Sequence, residues 1–506
     1  MIPPNFLQQL KTLPVWQQCM IALIAGCLVP FSFAPFNIWP LSIVALVVLA
    51  LLIKDQSLKH VLWRCWFFGV GMYIVGVSWI YVSISGFGGA PAPLAAFLVI
   101  IFVFSMAAFF SAPFYIFGRW FNRHKLGLIV ALPAIWLISE WLRTWLLTGF
   151  PWLFIGYSDL NNWLSGWAPV VGVMGLSLLT AFTAGWIAEA IYNPKKSTYL
   201  IVTGFLVAGI WIVGFALQNQ EWTAVSKNPT TIAIVQPNIS QEEKWQADFR
   251  ASTEDLLRAN TEPLWGHKII IWPEAAVTKL YSQALPFLNE INRKASDTGS
   301  GLITGIIFDD QEKDVYYNSV VTFGTAIGIH HKRRLVPFGE YVPIEALRNL
   351  IEFFNLPTSI ISLGPEEQHS LKVDEILISP SVCYEVAFPD LIAKNALDSQ
   401  LLLSVSNLGW FGDSLGRHQF MQMAQMRALE TQRYHAYSTN NGPSAIFDRK
   451  GEITARTNAF EQTVLSSEIF TVTGSTPFMR FGSLPLVVIS FLGLILLRIF
   501  AKKNPD

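Results

Sequence analysis

Long apolar runs separated by short polar segments fill the first 220 residues, and this pattern predicts membrane-spanning helices. A helix needs about 20 apolar residues to cross a hydrocarbon core of about 30 Å. Seven runs before residue 220 approach this length, and an eighth closes the chain. The predicted spans are 15–33, 39–53, 61–84, 94–117, 126–142, 167–191, 200–217 and 484–500.

The positions of the basic residues predict the orientation of these spans. Alternate connections contain Lys11; Lys54, Lys59 and Arg64; Arg119, Arg123 and Lys125; Lys195 and Lys196; and Arg498, Lys502 and Lys503. Of the other connections, 83–93 has no charge and 144–166 has only Asp159. Because basic loops stay on the cytoplasmic side, both termini are predicted to be cytoplasmic. Residues 220–480 are then expected on the opposite face, which in a bacterium is the periplasm.

Between the seventh and eighth spans the pattern changes to short β-rich runs that alternate with amphipathic helical stretches. The predicted strands are 231–236, 268–272, 301–308, 319–323, 376–379, 401–406 and 434–439, and the predicted helices are 248–260, 285–296, 389–397 and 418–431. Such alternation predicts helices layered on sheets. We therefore expect a membrane domain over 1–219, an extracytoplasmic α/β domain over 220–480, and a last span with its cytoplasmic tail over 481–506.

The composition supports a membrane protein and excludes several other classes. With 52% hydrophobic and 14% charged residues, the chain has too little polar surface for an ordinary soluble protein. Lys+Arg and Asp+Glu are equal at 35 each, so no basic field favours nucleic acid. The eight histidines show no spacing typical of a metal site, and no nucleotide or flavin motif occurs. The expected partner is the bilayer, with no metal and no cofactor.

Reactive residues follow several predicted strands, which is where open α/β sheets usually place their sites. Glu274 follows one strand, Cys383 follows another, and Lys332 lies in a basic run that leads to Glu340. Cys383 is also the one cysteine outside the apolar runs. Taken singly, each has an ordinary structural interpretation: a packed thiol, a carboxylate at the start of a helix, or a solvated charge.

Taken together, the three residues can perform acyl transfer through a thioester. A thiol is largely protonated near neutral pH, so a base must remove its proton, and Glu274 is the candidate. Lys332 would face the oxyanion of the tetrahedral intermediate. The backbone amide of Tyr384 is the expected second donor to that oxyanion.

The order of the motifs resembles that of the nitrilase superfamily. These motifs are Trp-Pro-Glu at 272–274, Lys332 followed by Leu-Val-Pro-Phe-Gly-Glu-Tyr-Val-Pro at 335–343, Cys-Tyr-Glu at 383–385 and Trp-Phe-Gly at 410–412. Over its whole length the chain looks more closely like the membrane branch, the bacterial apolipoprotein N-acyltransferases. The resemblance implies a polytopic bundle of eight spans in the inner membrane, with a nitrilase-like αββα sandwich between the last two.

The resemblance also implies a reaction, the last step of lipoprotein maturation. An acyl chain would pass from a phospholipid, typically phosphatidylethanolamine, to the cysteine, and then to the α-amine of the diacylglyceryl-cysteine of an apolipoprotein. This is a ping-pong mechanism, and we expect a monomer. By position, Glu274 is the general base, Lys332 the stabiliser of the intermediates and Cys383 the nucleophile. The implied supporting residues are Glu340, Tyr384 and Glu385, and the implied lipid- or substrate-binding residues are Trp245, Phe338 and Trp410.

Some features leave alternatives open. Asn407 is followed by Leu408-Gly409, where the family commonly has Asn-Asp-Ala, so the way this loop is held is undetermined. The apolar stretch 350–357 is compatible with an interfacial lid or with core packing. Two other functions also remain: a membrane-tethered amidase or nitrilase, in which water resolves the thioester, and a non-catalytic binding module.

Overall fold

A computed structural model describes residues 6–193, 198–337, 339–341 and 361–503. The chain divides into two compact units. A helical unit comprises Met1–Tyr81, Ala92–Gln220 and Phe481–Asp506, and an α/β unit comprises Val82–Pro91 and Glu221–Arg480. The stretch 350–357, for which the sequence suggests a lid, lies outside the described residues.

The helical unit contains a helix at every predicted span, but not all of these helices are long enough to cross a membrane. The long apolar helices are Val15–Ser32, Ala92–Ser111, Trp163–Tyr192 and Thr198–Leu217. Helices Leu58–Gly76 and Trp79–Phe87 satisfy the same criteria together but are bent by 51°. Three apolar helices are shorter: Pro40–Ile53, Gly127–Leu142 and Leu484–Phe500. Length and composition therefore support four spans among the described residues, or five with the bent pair, rather than eight.

Two buried charged residues, Glu140 and Arg143, hold the irregular segment around Trp152 in the helical unit. Glu140 accepts hydrogen bonds from the Trp136 indole at 2.9 Å and from the Ile155 backbone at 3.0 Å. Arg143 donates to the Trp152 carbonyl at 2.7 Å and to the Tyr73 hydroxyl at 2.8 Å. Lipid cannot form hydrogen bonds with backbone N–H and C=O groups. A non-helical segment within a membrane domain therefore needs hydrogen-bond partners from the protein, such as these side chains.

In its described residues the α/β unit has fourteen strands in two sheets. In chain order they are β1 Thr223–Gln236, β2 Ile269–Ile271, β3 Val277–Leu280, β4 Gly301–Asp310, β5 Val315–Gly324, β6 Ala326–Ile327, β7 Ile329–His331, β8 Leu371–Val373, β9 Ile376–Val382, β10 Leu401–Ser406, β11 His435–Thr439, β12 Ala445–Phe447, β13 Ile453–Arg456 and β14 Thr463–Gly474. The first sheet runs β14-β1-β2-β4-β5-β7, with β3 also paired to β4. The second runs β13-β12-β11-β10-β9-β8-β6.

The two sheets pack face to face, and each carries helices on its outer face. Alternation along β1 sends Ile232 and Ile234 into the core between the sheets, and Ala233 and Val235 toward the helices. Helices Arg250–Thr261 and Tyr281–Thr298 cover the first sheet, and Pro389–Ala396 and Leu415–Thr431 cover the second. The predicted α/β sandwich with outer helices is therefore confirmed.

Candidate active site

Glu274 lies in a turn just beyond the end of β2, close against β4. Gly305 of β4 donates to the Pro273 carbonyl at 3.2 Å and accepts from the Ala276 backbone at 3.0 Å. A Cβ atom at Gly305 would lie 2.6 Å from the Cα atom of Glu274. The turn can approach the sheet this closely because Gly305 has no side chain.

Both carboxylate oxygens of Glu274 are held by neighbouring groups. Oε1 accepts from Asn318 Nδ2 at 2.8 Å and lies 3.6 Å from Lys332 Nζ. Oε2 accepts from the backbone N–H of Asn407 at 2.7 Å. The carboxylate is buried, so these bonds replace its lost hydration and fix its direction.

Lys332 follows β7 and is almost fully buried, with 1% of its surface exposed. Its Nζ lies 2.8 Å from Glu340 Oε1, which also accepts from Asn318 at 2.9 Å. Glu340 Oε2 accepts from the Val336 backbone at 2.8 Å. Burial acts to lower the pKa of Lys332, but the charges of Glu340 and Glu274 outweigh burial and raise that pKa above its usual value. The side chain therefore stays an ammonium ion.

Cys383 begins a short 3-10 turn, Cys383–Ala387, directly after β9. Its φ of 49° is in the left-handed region, which is rare for a residue with a side chain and clusters at functional sites. The half-buried thiol is electrostatically coupled to the Glu274 carboxylate. Burial raises the pKa of the Cys383 thiol, Glu274 raises it further, and Lys332 opposes them. The resting cysteine is therefore a protonated thiol.

Glu385 connects the turn of Cys383 to the segment that carries Lys332. One carboxylate oxygen accepts from the Val382 backbone at 2.8 Å and contacts His330 Nε2 at 3.2 Å, and the other accepts from the Arg333 backbone at 2.8 Å. Burial acts to raise the pKa of Glu385, but His330 and these backbone donors outweigh it and lower that pKa. Glu385 therefore joins the two strand ends as a carboxylate.

The other predicted site residues lie in different surroundings. Tyr384 is buried in the same turn, with its ring 5.2 Å from that of Phe388, and its role as an oxyanion donor stays a prediction. The Trp245 side chain is 46% exposed. Trp410 is partly buried, with its carbonyl accepting from Ser83 Oγ at 2.7 Å and its ring 6.2 Å from Phe87. Phe338 lies outside the described residues.

The Asn407 loop is held without the aspartate that is common in the family. Asn407 Oδ1 accepts from the Gly409 backbone at 3.4 Å and from Asn440 at 3.2 Å, and its Nδ2 donates to Gln241 at 2.7 Å. Leu408 is buried. Asn407 therefore fixes the loop and also directs its own N–H at Glu274.

Two site residues were missed in the sequence. Asn318 donates to both Glu274 and Glu340, and Lys244 Nζ donates to the Glu274 carbonyl at 3.0 Å. Asn318 sits in the middle of β5, away from any motif. A useful signal was available for Lys244, since it directly precedes Trp245, which the resemblance singles out.

A cluster of these groups can support acyl transfer at a carbonyl carbon. In general a thiol can act as nucleophile, a carboxylate can take up its proton, and an ammonium group can stabilise an oxyanion. Over the residues that the structure describes, no three or more His, Cys, Asp or Glu side chains group in a way that could hold a metal ion.

Two protein-family models match the chain. The model for the N-terminal domain of apolipoprotein N-acyltransferase matches residues 25–186, and the model for carbon-nitrogen hydrolase matches residues 231–477. Together these matches include parts of both compact units.

Several relatives of nearly the same length are named apolipoprotein N-acyltransferase. The protein of Pseudomonas putida is 39% identical over 486 residues, which is 94% of this chain and 96% of the relative. The protein of Azotobacter vinelandii is 39% identical over 504 residues, which is 97% of each chain. The protein of Coxiella burnetii is 38% identical over 480 residues, which is 94% of this chain and 99% of the relative.

Among solved structures, a CN-hydrolase superfamily protein from Xanthomonas campestris matches 52% of this chain and 97% of its own, at 19% identity and a TM-score of 0.37. This score is too low for the likeness to bear on function.

Proposed function

Because this chain belongs to the apolipoprotein N-acyltransferase family, we propose that it acylates lipoproteins through a thioester on Cys383, with a phospholipid as acyl donor. Lipoprotein N-acylation is the activity that the family assignment gives this chain. The proposal adds the donor, phosphatidylethanolamine, the acceptor, the α-amine of a diacylglyceryl-cysteine, and the roles of individual residues.

In the first half-reaction Glu274 takes the proton of the Cys383 thiol, and the thiolate attacks an ester carbonyl of the phospholipid. The oxyanion that forms faces the ammonium of Lys332. Collapse breaks the ester bond, and the lysophospholipid alkoxide leaves with the proton that Glu274 held. The acyl chain remains on sulfur as a thioester.

In the second half-reaction the acceptor amine attacks the thioester carbonyl and gives a proton to Glu274. Collapse of the second oxyanion breaks the carbon–sulfur bond, forms the amide, and returns that proton to the Cys383 sulfur. One site holds donor and acceptor in turn, so the kinetics are ping-pong.

The observation that carries this proposal is the convergence of three groups from separate strand ends. Glu274 follows β2, Lys332 follows β7 and Cys383 follows β9, yet the thiol is electrostatically coupled to the carboxylate and the carboxylate lies 3.6 Å from the ammonium. An ion pair at a protein surface forms without burial, whereas Glu274 and Lys332 are both buried. A half-buried thiol coupled to a buried carboxylate and a buried ammonium is typical of a catalytic site.

The membrane arrangement is also part of the proposal. We propose a monomer in the bacterial inner membrane with eight spans, cytoplasmic termini and a periplasmic α/β unit. The support is that all eight apolar runs are helical and that the basic connections alternate along the chain. A lipid donor and a lipidated acceptor both stay in the bilayer, so a membrane anchor suits this reaction better than it suits a soluble amidase.

Labelling with a radioactive phospholipid acyl chain tests the chemistry. The wild-type protein should acquire hydroxylamine-sensitive label, and Cys383→Ala should acquire none. Cys27→Ala, which alters a cysteine of an apolar helix, is the matched control and should label like the wild type. Equal labelling of Cys383→Ala and wild type would falsify the thioester on Cys383.

The products distinguish transfer from hydrolysis. With a diacylglyceryl peptide as acceptor, the labelled chain should appear as an amide on the peptide. Free fatty acid without acylated peptide would instead favour the membrane-tethered hydrolase.

A further inference from the structure

Lys244 is a buried ammonium group beside the site, to which the chemistry above assigns no role. It lies in the segment that follows β1, where its backbone N–H donates to the Ser240 carbonyl at 3.0 Å. The preceding Glu243 and the following Trp245 are exposed, whereas Lys244 is only 1% exposed. Burying an ammonium ion costs free energy unless hydrogen bonds or opposite charges in the protein compensate for its lost hydration.

The contacts of Lys244 point toward the catalytic groups. Its Nζ donates to the backbone carbonyl of Glu274 at 3.0 Å, and no ion pair within 4.0 Å is formed by Lys244 in the described part of the chain. Burial lowers the pKa of Lys244 to about 8, while the nearby Glu274 and Cys383 act to raise it. Lys244 is therefore electrostatically coupled to both the base and the nucleophile.

Among the groups coupled to the thiol or to Lys244, the formal charges balance only when Lys244 is counted. These groups are Glu274, Lys332, Glu340 and Cys383, and the phenol of Tyr437 is also coupled to the thiol. With a neutral thiol, the two carboxylates are matched by two ammonium groups. Without Lys244, a thiolate would form beside two carboxylates with one cation, Lys332, to offset them.

We propose that Lys244 is a positioning residue of the acyl transfer, which holds the Glu274 peptide and supports the negative charge that develops on Cys383. This inference rests on the proposed role of Cys383 as nucleophile. The hydrogen bond fixes the backbone from which the Glu274 carboxylate extends. The positive charge of Lys244 favours transfer of the Cys383 thiol proton to Glu274.

The pH dependence of Cys383 alkylation tests this role without any acyl donor. The full chain in detergent micelles is treated with iodoacetamide between pH 6 and 10, and the rate measured for Cys383→Ala is subtracted. In Lys244→Met the pKa of the Cys383 thiol should rise by about one unit, the shift expected when one opposite charge nearby is removed. Because burial and Glu274 already raise the pKa of this thiol, the whole pH range lies below the titration midpoint. Alkylation below the midpoint should then be roughly tenfold slower. Lys227→Met, at an exposed lysine of β1, is the matched control and should keep the wild-type profile.

Acyl-transfer kinetics and thermal unfolding separate this role from a purely structural one. The kcat of Lys244→Met should fall by more than the KM changes, because the group acts on the nucleophile. If Lys244→Met unfolds, Lys244→Gln is measured instead, since its amide can still donate a hydrogen bond but has no charge. A folded Met or Gln variant with the wild-type alkylation profile would overturn the inference. Absence of phospholipid label on the wild type would overturn the proposed function alone.

Discussion

At the scale of single residues, the site depends on one ammonium group shared by two carboxylates. Lys332 contacts Glu340 at 2.8 Å and Glu274 at 3.6 Å, and Asn318 donates to both carboxylates. The sequence could predict Glu274 because it follows a β-rich run, and Lys332 and Glu340 because they lie in or beside one motif. It could not predict Asn318, because the partners of its amide lie on other segments and nothing local marks them.

Replacing Lys332 by Met keeps most of the side-chain volume and removes the charge that faces the oxyanion in the proposed mechanism. We expect the rate of acyl transfer to fall by about 10²-fold or more, the usual cost of losing one such donor. Stability should also fall, because the buried Glu274 carboxylate and the partly buried Glu340 carboxylate lose their cation. Rates are therefore measured well below the unfolding temperature of the variant. Lys279→Met, which breaks the more exposed pair with Glu254, should retain its turnover. Near-normal turnover of Lys332→Met would mean that another cation serves the oxyanion.

At the scale of secondary-structure elements, the sequence predicts the central strands better than the peripheral ones. The prediction for 401–406 matches β10 residue for residue, since that strand is buried throughout and strongly apolar. The short strands β6, β7 and β8 were missed because two or three residues are too few to show an alternation of apolar and polar positions. β14 was missed because its twelve residues are mostly half-buried or exposed, which blurs the two-residue period.

Gly305→Ala tests whether β4 sets the position of Glu274. The new methyl group would lie 2.6 Å from the Glu274 Cα, so the turn must move away from the sheet. We expect thioester formation to drop at least tenfold, because a displacement of about 1 Å in a catalytic group can cost up to 10²-fold in rate. Overpacking should cost about 1–3 kcal/mol of stability.

Gly209→Ala is the control for this change, since a Cβ atom at Gly209 would have nothing within 4 Å. Thioester formation and thermal unfolding are measured on both variants. A Gly305→Ala protein with wild-type thioester formation would show that the turn can relax without moving the carboxylate.

The contact between β11 and helix Leu415–Thr431 predicts sensitivity to acid. His435 donates through Nδ1 to the Ala424 carbonyl at 3.0 Å, and its Nε2 accepts from Ser404 Oγ at 2.8 Å. Burial lowers the pKa of His435 from 6.5 to about 4. As the pH falls, His435 is protonated in the unfolded chain before it is protonated in the folded protein. The contribution of neutral His435 to the free energy of unfolding is therefore complete above pH 6.5 and is lost as the pH falls toward 4.

Protonation of His435 can lower the free energy of unfolding by up to about 3 kcal/mol. Thermal unfolding of wild type and His435→Gln at pH 7.5 and pH 4.5 measures it. The wild type should lose more stability over this interval than the variant. His369→Gln, at an exposed position, should behave like the wild type. An equal acid-induced loss in wild type and His435→Gln would assign the sensitivity to other groups.

At the scale of the whole molecule, the apolar helices follow from the sequence more directly than the number of spans does. Hydropathy is a local property, so each apolar run forms a helix. Pro40–Ile53, Gly127–Leu142 and Leu484–Phe500 are shorter than 18 residues, and one candidate span is bent by 51°. Whether a short or bent helix crosses the bilayer depends on its packing and on interfacial anchors, which a hydropathy window does not include.

Cysteine labelling in cells tests the proposed orientation, which follows from the alternating positive charge of the connections. Lys313→Cys places a thiol at an exposed position of the α/β unit, and Lys125→Cys places one in a basic connection. After the outer membrane is permeabilised, a membrane-impermeant maleimide should label Lys313→Cys in intact cells, and Lys125→Cys only after lysis. The parent chain gives the background of the four native thiols. Labelling in the reverse order would place the α/β unit on the cytoplasmic side and would contradict the proposed orientation.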